Sequence, residues 1–509
     1  MGPRLGTFTT VVNAEKYLLG LDAGNTVIKA VLFDLTGRQI AMHALDGQSS
    51  TPQPGHVERD LNELWSNAQT AIRNCIESAG IDPAQIAAIG CAGHGNGLYL
   101  LDKSDAPLIG IQSLDSRAAG LAAQINAQNG SAIYDICRQR PWPSQTPVLL
   151  AWIKQHRPAV FARTGTAMLC KDFMGFKLTG EKFSDISDMS GCGLTAMPEC
   201  RYSPPLMALY GLPEATPMLP RLCDPAEIAG HVTPEAAACT GLAAGTPVIA
   251  GYFDVVSSAL GSGVSARGEA SIIVGSWSIN QVFSDTPVKD DRVFMAAGFG
   301  RDRFVNIESS ATSAANLEWY VREFVERGQH HDDPFGYCNG RIAAVQPAKD
   351  DPFFHPFLYG ARQGAEFRAG FYGLAGWHTE GHMLRAIFEG VMFEHRRHID
   401  VLSTAGVVIE RAALSGGGSR SPHWPQMFSD GLGMPITVAE ARETGALGAV
   451  IGAGIGVGIF ADYESGVAAM TRTRQTFSPD PAKKAFYDAR YAAWLDLTER
   501  MRGFWSSLK

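Results

Sequence analysis

The sequence predicts an α/β protein made of two duplicated lobes that close on a cleft. Two related segments carry that reading. YLLGLDAGNTVIKAVLFDLTGRQIA (17–41) sets two apolar, β-rich runs around a Gly-Asn bend, and GEASIIVGSWSINQVFSD (268–285) repeats the design around Gly275-Ser276. Between and after these hairpins, strand-like and helix-like segments alternate, and the 509 residues are enough for two large domains or about three ordinary ones.

Taken in order, the first hairpin ends at a second turn, Asp34 to Gly37, and Asp60 to Ser78 has helical apolar spacing behind an Asp cap. Ile86 to Cys91 is a short apolar strand that empties into the Gly-rich loop AGHGNG, a common way to build a site. PVIAGYF then reads as a strand running into the helix FDVVSSALGSG. The lobe boundary is expected between that helix and Glu269, giving domains 15–264 and 265–495. In the second half, ERAALSGGGSRSPHWPQMFSDGLG reads as strand, Gly turn and helix. ETGALGAVIGAGIGVG reads as a helix of closely spaced small residues, and both segments could bring backbone near a ligand.

Composition excludes several classes of function. The net charge of -8 and pI near 5.9 argue against broad attraction to nucleic acid or anionic lipid, so a small-molecule partner is expected. Apolar residues at 45% and charged residues at 18% suit a large core. The nine cysteines form no CxxC pair and read as buried thiols of a reducing cytosol. No secretory signal precedes Tyr17, and MGPRLG carries Gly where a myristoylation pattern wants Ser or Thr. The longest uncharged stretches, Ala236 to Phe253 and Thr444 to Ala461, are barely of membrane length and rich in Gly. A soluble, cytoplasmic protein is the expectation.

Asp22 ends the first apolar strand and is followed by Ala-Gly-Asn-Thr. Such a loop exposes backbone amides as an anion cradle, and the carboxylate can hold a metal, a combination suited to Mg2+ and nucleotide phosphates. An ordinary hairpin bend beside a solvated Asp is the alternative. Lys29 would add positive charge if it folds back toward the turn, and is otherwise solvated. The bend Gly275-Ser276-Trp277 offers amide and hydroxyl donors, and with the first bend and the Gly416 to Ser419 turn it makes a three-point nucleotide clamp. Asp254, where a strand passes into a helix, is placed to serve as an ionised base of ordinary pKa or as a helix N-cap. His94 could hydrogen-bond a substrate hydroxyl or be merely solvated. Asp115 and Arg117 offer an acceptor and a donor to substrate, or form a local surface ion pair. His378/His382 and His395/His398 lack a third ligand and read as structural or surface histidines.

The pattern resembles the FGGY carbohydrate kinases of the actin and hexokinase superfamily, from about Tyr17 to about residue 495. The most specific element is AGFYGLAGWHTEGHMLRAIFE, Ala369 to Glu389, which is similar to the family's C-terminal signature. The resemblance implies two actin-like, ribonuclease H-like ATPase domains, ATP and Mg2+ as cofactors, and phosphorylation of a terminal hydroxyl of a small sugar or polyol. It implies that Asp22 organises the metal and phosphates, with Gly24, Asn25, Thr26 and Lys29 in the first phosphate loop. Gly275 and Ser276 fall on the second loop, Asp254 on the catalytic base, and His94 in the sugar loop. Gly416, Gly417, Gly418, Ser419 and Gln426 fall on the adenosine region. A homodimer is expected by analogy alone.

Glycerol kinases of this family carry an Arg-Glu pair where this chain has Gly95-Asn96, which disfavours glycerol. NGLYLLDK, FDVVSSAL, NLEWY and PFLYG look closest to the family's L-xylulose and 3-keto-L-gulonate kinase branch, whereas LDSRAA and CKDF also resemble erythritol kinases. L-xylulose or 3-keto-L-gulonate is the leading substrate, with erythritol, D-ribulose and D-xylulose as alternatives. Two further classes stand beside this reading: a non-catalytic actin-like sensor of nucleotide and sugar, and an ATPase or phosphatase without a sugar pocket.

Overall fold

The strand β1 (Tyr17–Ala23) is apolar on both faces, and both faces are covered. In the computed structural model, which describes residues 15–508 except 301, 329 and 365, β1 is central to a seven-stranded sheet. On one edge it pairs antiparallel with β2 (Val27–Asp34), which pairs with β3 (Gln39–Asp46); on the other it pairs parallel with β4 (Ile86–Gly93). Beyond β4 come β5 (Ile228–His231) and β6 (Pro247–Ile249), with β6 parallel to β4 and β5 antiparallel to β6. The short β7 (Tyr252–Phe253) runs alongside the end of β4.

The second sheet repeats this order. β8 (Glu269–Val274) pairs antiparallel with β9 (Ser278–Ser284), and β9 with β11 (Phe304–Ser310), while β10 (Met295–Gly298) pairs with β11 at the edge. On its other side β8 is parallel to β12 (Arg411–Ser415), and β12 to β13 (Ile436–Ala439); β14 (Thr473–Phe477) closes that edge. In both sheets an antiparallel meander is therefore followed by two parallel strands, the duplication that the two hairpins foreshadow.

Helix α1 (Leu61–Ala79) begins where the sequence places it. The Asp60 carboxylate accepts from the Asn62 and Glu63 N–H groups, and Gly80 closes the helix at φ 65. Its Leu64, Ala68 and Ile72 pack on the same core as Leu19, Ile28 and Ala30 of the first sheet. A five-stranded sheet and helices between residues 49 and 168 form one flank of the cleft.

Two further helices knit the lobes together: α2 (Asp254–Gly261), and α4 (Thr444–Gly456), which follows the long α3 (Glu380–Thr404). Although α4 comes from the second half of the chain, it lies on the first sheet. A Cβ on Gly20 of β1 would stand 2.6 Å from the Ala446 carbonyl oxygen, and one on Gly90 of β4 would stand 2.1 Å from that of Ala449. It also crosses α2 closely: the Ser257 hydroxyl donates to the Gly445 carbonyl at 2.7 Å, and a Cβ on Gly448 would meet the Ser257 carbonyl at 1.8 Å. The small residues of α4 thus admit protein backbone rather than a ligand, a correction to the sequence expectation. In turn α2 reaches the second sheet, where the Gln281 amide donates to the Val255 carbonyl at 2.6 Å.

Every cysteine but Cys239 is buried. Among the described residues no helix is long and apolar enough to cross a membrane. The two uncharged stretches are spent on α4 and on β6 and β7 with the short helix Pro234–Thr240. The MGPRLG segment lies outside the described residues.

Candidate active site

The two hairpin bends open on one cavity of about 400 Å³ between the lobes. Asn25 and Thr26 of the first bend line it, as do Ser276 and Trp277 of the second, together with His94 and Asp254. Each bend is tied internally, Gly24 N–H to the Val27 carbonyl at 3.0 Å and Gly275 N–H to that of Trp277 at 3.3 Å. Side chains that the sequence did not single out brace the first bend: Arg59 donates to the Gly24 carbonyl at 3.1 Å, Gln112 to that of Asn25 at 2.5 Å, and Asn25 donates to the Ser113 hydroxyl at 2.9 Å.

Asp254 is the first residue of α2, and Phe253 before it takes the N-cap position, so the N-cap alternative does not apply. Among the described residues no side chain hydrogen-bonds or ion-pairs with Asp254; only the Val255 N–H faces it. Its pKa is pushed up to about 8, by burial first and then by the charge of Asp22, which corrects the expectation of an ordinary carboxylate. Asp22, at the end of β1, stands opposite Lys29 in the β1–β2 register. Burial pushes Asp22 up to about 6, against the pull of Lys29 and with a push from Glu443. The Lys29 ammonium is engaged by Glu443 of the other half at 2.7 Å.

Two carboxyls in one recess, each lacking a side-chain hydrogen bond, form a donor set that a divalent cation would relieve. Among the described residues no cluster of three or more His, Cys, Asp or Glu could cage a metal. A pair of carboxyls fits the way Mg2+ is held, by one or two carboxylates plus phosphates and water.

His94 is buried in the cavity wall rather than solvated. Its Nε2 lies 2.9 Å from the Tyr99 hydroxyl, and burial lowers its pKa to about 4, so the ring is neutral. Asn96, also in the wall, has φ 60 and a buried Oδ1 with no hydrogen-bond partner. Trp142, Phe253 and Phe294 supply apolar walls, and Trp142 and Phe294 meet with ring centroids 5.6 Å apart. Sequence reasoning missed these rings because Phe253 and Phe294 lie in apolar runs that read as core and Trp142 stands between two prolines outside any motif.

Asp115 and Arg117 do pair, at 2.8 Å, but neither lines the cavity and neither is on the surface. Both side chains are fully buried. The Asp115 carboxylate also accepts from the Val57 N–H at 2.6 Å, and Arg117 reaches Glu58 at 2.8 Å. Their donors and acceptors are spent on joining two loops, which corrects their reading as substrate contacts.

A second cavity of about 450 Å³ lies beyond the second bend, lined by Gly417, Gly418, Leu317, Glu318, Phe335, Asn339, Arg420 and Trp424 among others. The two cavities adjoin. Ala314, in the second, donates its N–H to the Gly275 carbonyl at 2.9 Å, next to Ser276 in the first. Gly416 and Ser419 shape the turn, the Ser419 hydroxyl donating to the Gly416 carbonyl at 2.8 Å. Gln426 stands apart, its amide donating to Asp430 at 2.8 Å and to the Ser478 carbonyl at 3.0 Å. His395 and His398 are buried and bonded to Ser313, Asn280 and Ser310, a structural use. His382 Nδ1 caps its own helix at Thr379.

Residues 17–261 match the N-terminal domain of the FGGY family of carbohydrate kinases, and residues 270–457 match its C-terminal domain. The chain belongs to the FGGY family of carbohydrate kinases. This FGGY kinase is 34% identical to L-xylulose/3-keto-L-gulonate kinase of Escherichia coli strain K12, over 97% of this chain and 99% of the relative. It is 35% identical to a probable L-xylulose kinase of Pasteurella multocida, over 96% and 99%. Among solved structures, a xylulose kinase from Rhodospirillum rubrum superposes with a TM-score of 0.88 at 28% identity, covering 96% of this FGGY kinase and all of that chain.

Proposed function

We propose that this FGGY kinase transfers the terminal phosphoryl group of ATP to a terminal hydroxyl of L-xylulose or 3-keto-L-gulonate. The observation that carries the reading is the position of Asp254, without a side-chain partner, in the one cavity that both hairpin bends share. The names of the two curated relatives support the substrate class.

In this reading the adenosine occupies the cavity at Gly417 and Gly418, and the phosphates pass the Gly275–Ala314 hydrogen bond to lie between the bends. Backbone amides and the Ser276 hydroxyl hold phosphate oxygens. Asp254 orients the acceptor hydroxyl and takes its proton as the sugar oxygen bonds to the γ-phosphorus and the bond to ADP breaks. Its raised proton affinity makes it a stronger base once ionised. Neutral His94 and the unpartnered Oδ1 of Asn96 face the sugar, and Trp142 and Phe294 keep water from the transferring group. Asp22 would hold Mg2+, which neutralises charge on the phosphates. A cytoplasmic homodimer is proposed on analogy alone.

A coupled ADP-release assay over L-xylulose, 3-keto-L-gulonate, D-xylulose, D-ribulose, erythritol and glycerol tests the reading. The expected result is the highest kcat/KM with one of the first two and the lowest with glycerol. ADP release that no sugar stimulates would overturn it.

A further inference from the structure

Beneath the cleft, the side chains of Lys171, Asp172, Asp185 and Asp188 are wholly buried together. The Lys171 ammonium lies 2.5 Å from Asp172, 2.8 Å from Asp185 and 3.8 Å from Asp188. Burial opposes the charge, yet the three carboxyls hold that ammonium well above the usual lysine range. Desolvated charges of this kind are weak contributors to stability, so their geometry is the more informative property.

The cluster clamps one short helix, Ile186–Gly191, whose N-cap is Asp185. From that helix three arms reach the proposed active site. The Ser187 hydroxyl accepts the N–H of Phe253, the residue before Asp254, at 3.1 Å. The Phe253 ring is wedged between Gly191 and Gly95, where added Cβ atoms would stand 3.1 and 2.4 Å from it. The Ser190 hydroxyl accepts the N–H of Gly298 at 2.7 Å, at the end of β10 in the second lobe. Just past the helix, the Cys192 sulfur accepts the Asn96 N–H at 3.3 Å. Lys171 itself runs under both strand ends, its Cβ 3.0 Å from where a Gly93 Cβ would sit and its Cδ 3.5 Å from that of Gly251.

We infer that the buried helix Ile186–Gly191, anchored by Lys171, is the element that sets Asp254, the Gly95-Asn96 loop and β10 relative to one another, with Ser187 the positioning residue for Asp254. The contacts explain why a polar helix is buried here: each hydroxyl that could have faced water instead fixes one wall of the cavity. Loss of the Ser187 hydroxyl frees the Phe253 N–H and lets the strand-to-helix junction drift, which penalises the transition state more than nucleotide binding.

The inference rests on the reading of Asp254 as the base, so Asp254→Asn is assayed in parallel with Ser187→Ala and Ser187→Thr. Ser187→Ala is expected to lower kcat about tenfold or more with the KM for ATP within about twofold, and Ser187→Thr, which keeps the hydroxyl, to recover most of the loss. A wild-type kcat in Ser187→Ala, or Ser187→Thr as impaired as Ser187→Ala, overturns the inference while an inactive Asp254→Asn leaves the functional reading standing. An active Asp254→Asn removes that reading instead. If Ser187→Ala yields no folded protein, Ser190→Ala is read the same way: reduced kcat at unchanged ATP KM supports the inference, and wild-type kcat overturns it.

Discussion

Asp254 is made reluctant to ionise by its burial, and the charge of Asp22 pushes it further, so ionised Asp22 opposes the ionisation of its neighbour in the cleft. At pH 7 a proton therefore stays on Asp254 until positive charge arrives. Binding of Mg2+ with ADP should release protons at that pH. Calorimetric titrations in two buffers of different ionisation enthalpy would then give different apparent heats; identical heats would count against the coupling.

The same shift has a sign for stability. Folded, Asp254 keeps its proton to about pH 8, whereas an unperturbed carboxyl loses it near 3.8. Between those values the folded chain binds more protons than the unfolded one, so this residue's contribution to stability falls as pH rises through the window. Asp254→Asn, which cannot ionise, should raise Tm over the parent at pH 8 and raise it less at pH 5. Scanning calorimetry at both values decides the matter, and an equal gain at both would refute it.

Removing the proposed base should separate chemistry from binding. Asp254→Asn is expected to lower kcat by about 10² to 10⁴-fold, the usual range for loss of a positioned general base. ADP affinity, measured by equilibrium titration, should stay within about threefold, because the second cavity is untouched.

Trp142 and Phe294 come from different halves of the chain and meet in the cavity wall, with the Arg140–Asp291 pair at 2.7 Å close by in sequence. Phe294→Ala should raise the sugar KM and the ratio of sugar-independent to sugar-dependent ADP release, since water gains entry. Arg140→Ala should change either value far less, because exposed ion pairs contribute little. Equal effects from the two variants would assign closure to charge instead of the rings.

Lys29 holds Asp22 down against its burial while bonded to Glu443. Lys29→Met should raise the Mg2+ concentration for half-maximal rate several-fold and shift that requirement to higher pH, because Asp22 then competes harder for a proton. An unchanged Mg2+ requirement at pH 6 and 8 would show that Lys29 acts only as a strut.

Much of the fold was legible because its signals are local. Gly24-Asn25 and Gly275-Ser276 interrupt β-rich runs, Asp60 announces α1, and Asp254 sits where an apolar strand turns into a helix. What stayed hidden depends on partners distant in the chain. The Asp115–Arg117 pair reads as either a substrate contact or a surface ion pair until the Val57 N–H and full burial fix it inside, and Gln426 reads as a ligand until Ser478, 52 residues on, accepts its amide. The glycines of α4 promise a ligand at close range, and the close neighbour is the Ser257 backbone. Ser187, Arg59 and Trp142 belong to no motif, and only the folded chain brings them to the cleft.

Because α4 covers the first sheet, the amino-terminal lobe takes part of its packing from residues 444–456. A nascent chain that has emerged only as far as Ser262 still lacks the backbone of Ala446 and Ala449 that roofs Gly20 and Gly90. The acidic recess likewise stays open until Gly445 comes to rest 2.6 Å, measured from its Cβ position, against Asp22. Translation must run past Ala449 before the earliest strand is roofed, which ties the surroundings of Gly20 and Asp22 to delivery of much of the second half of the polypeptide.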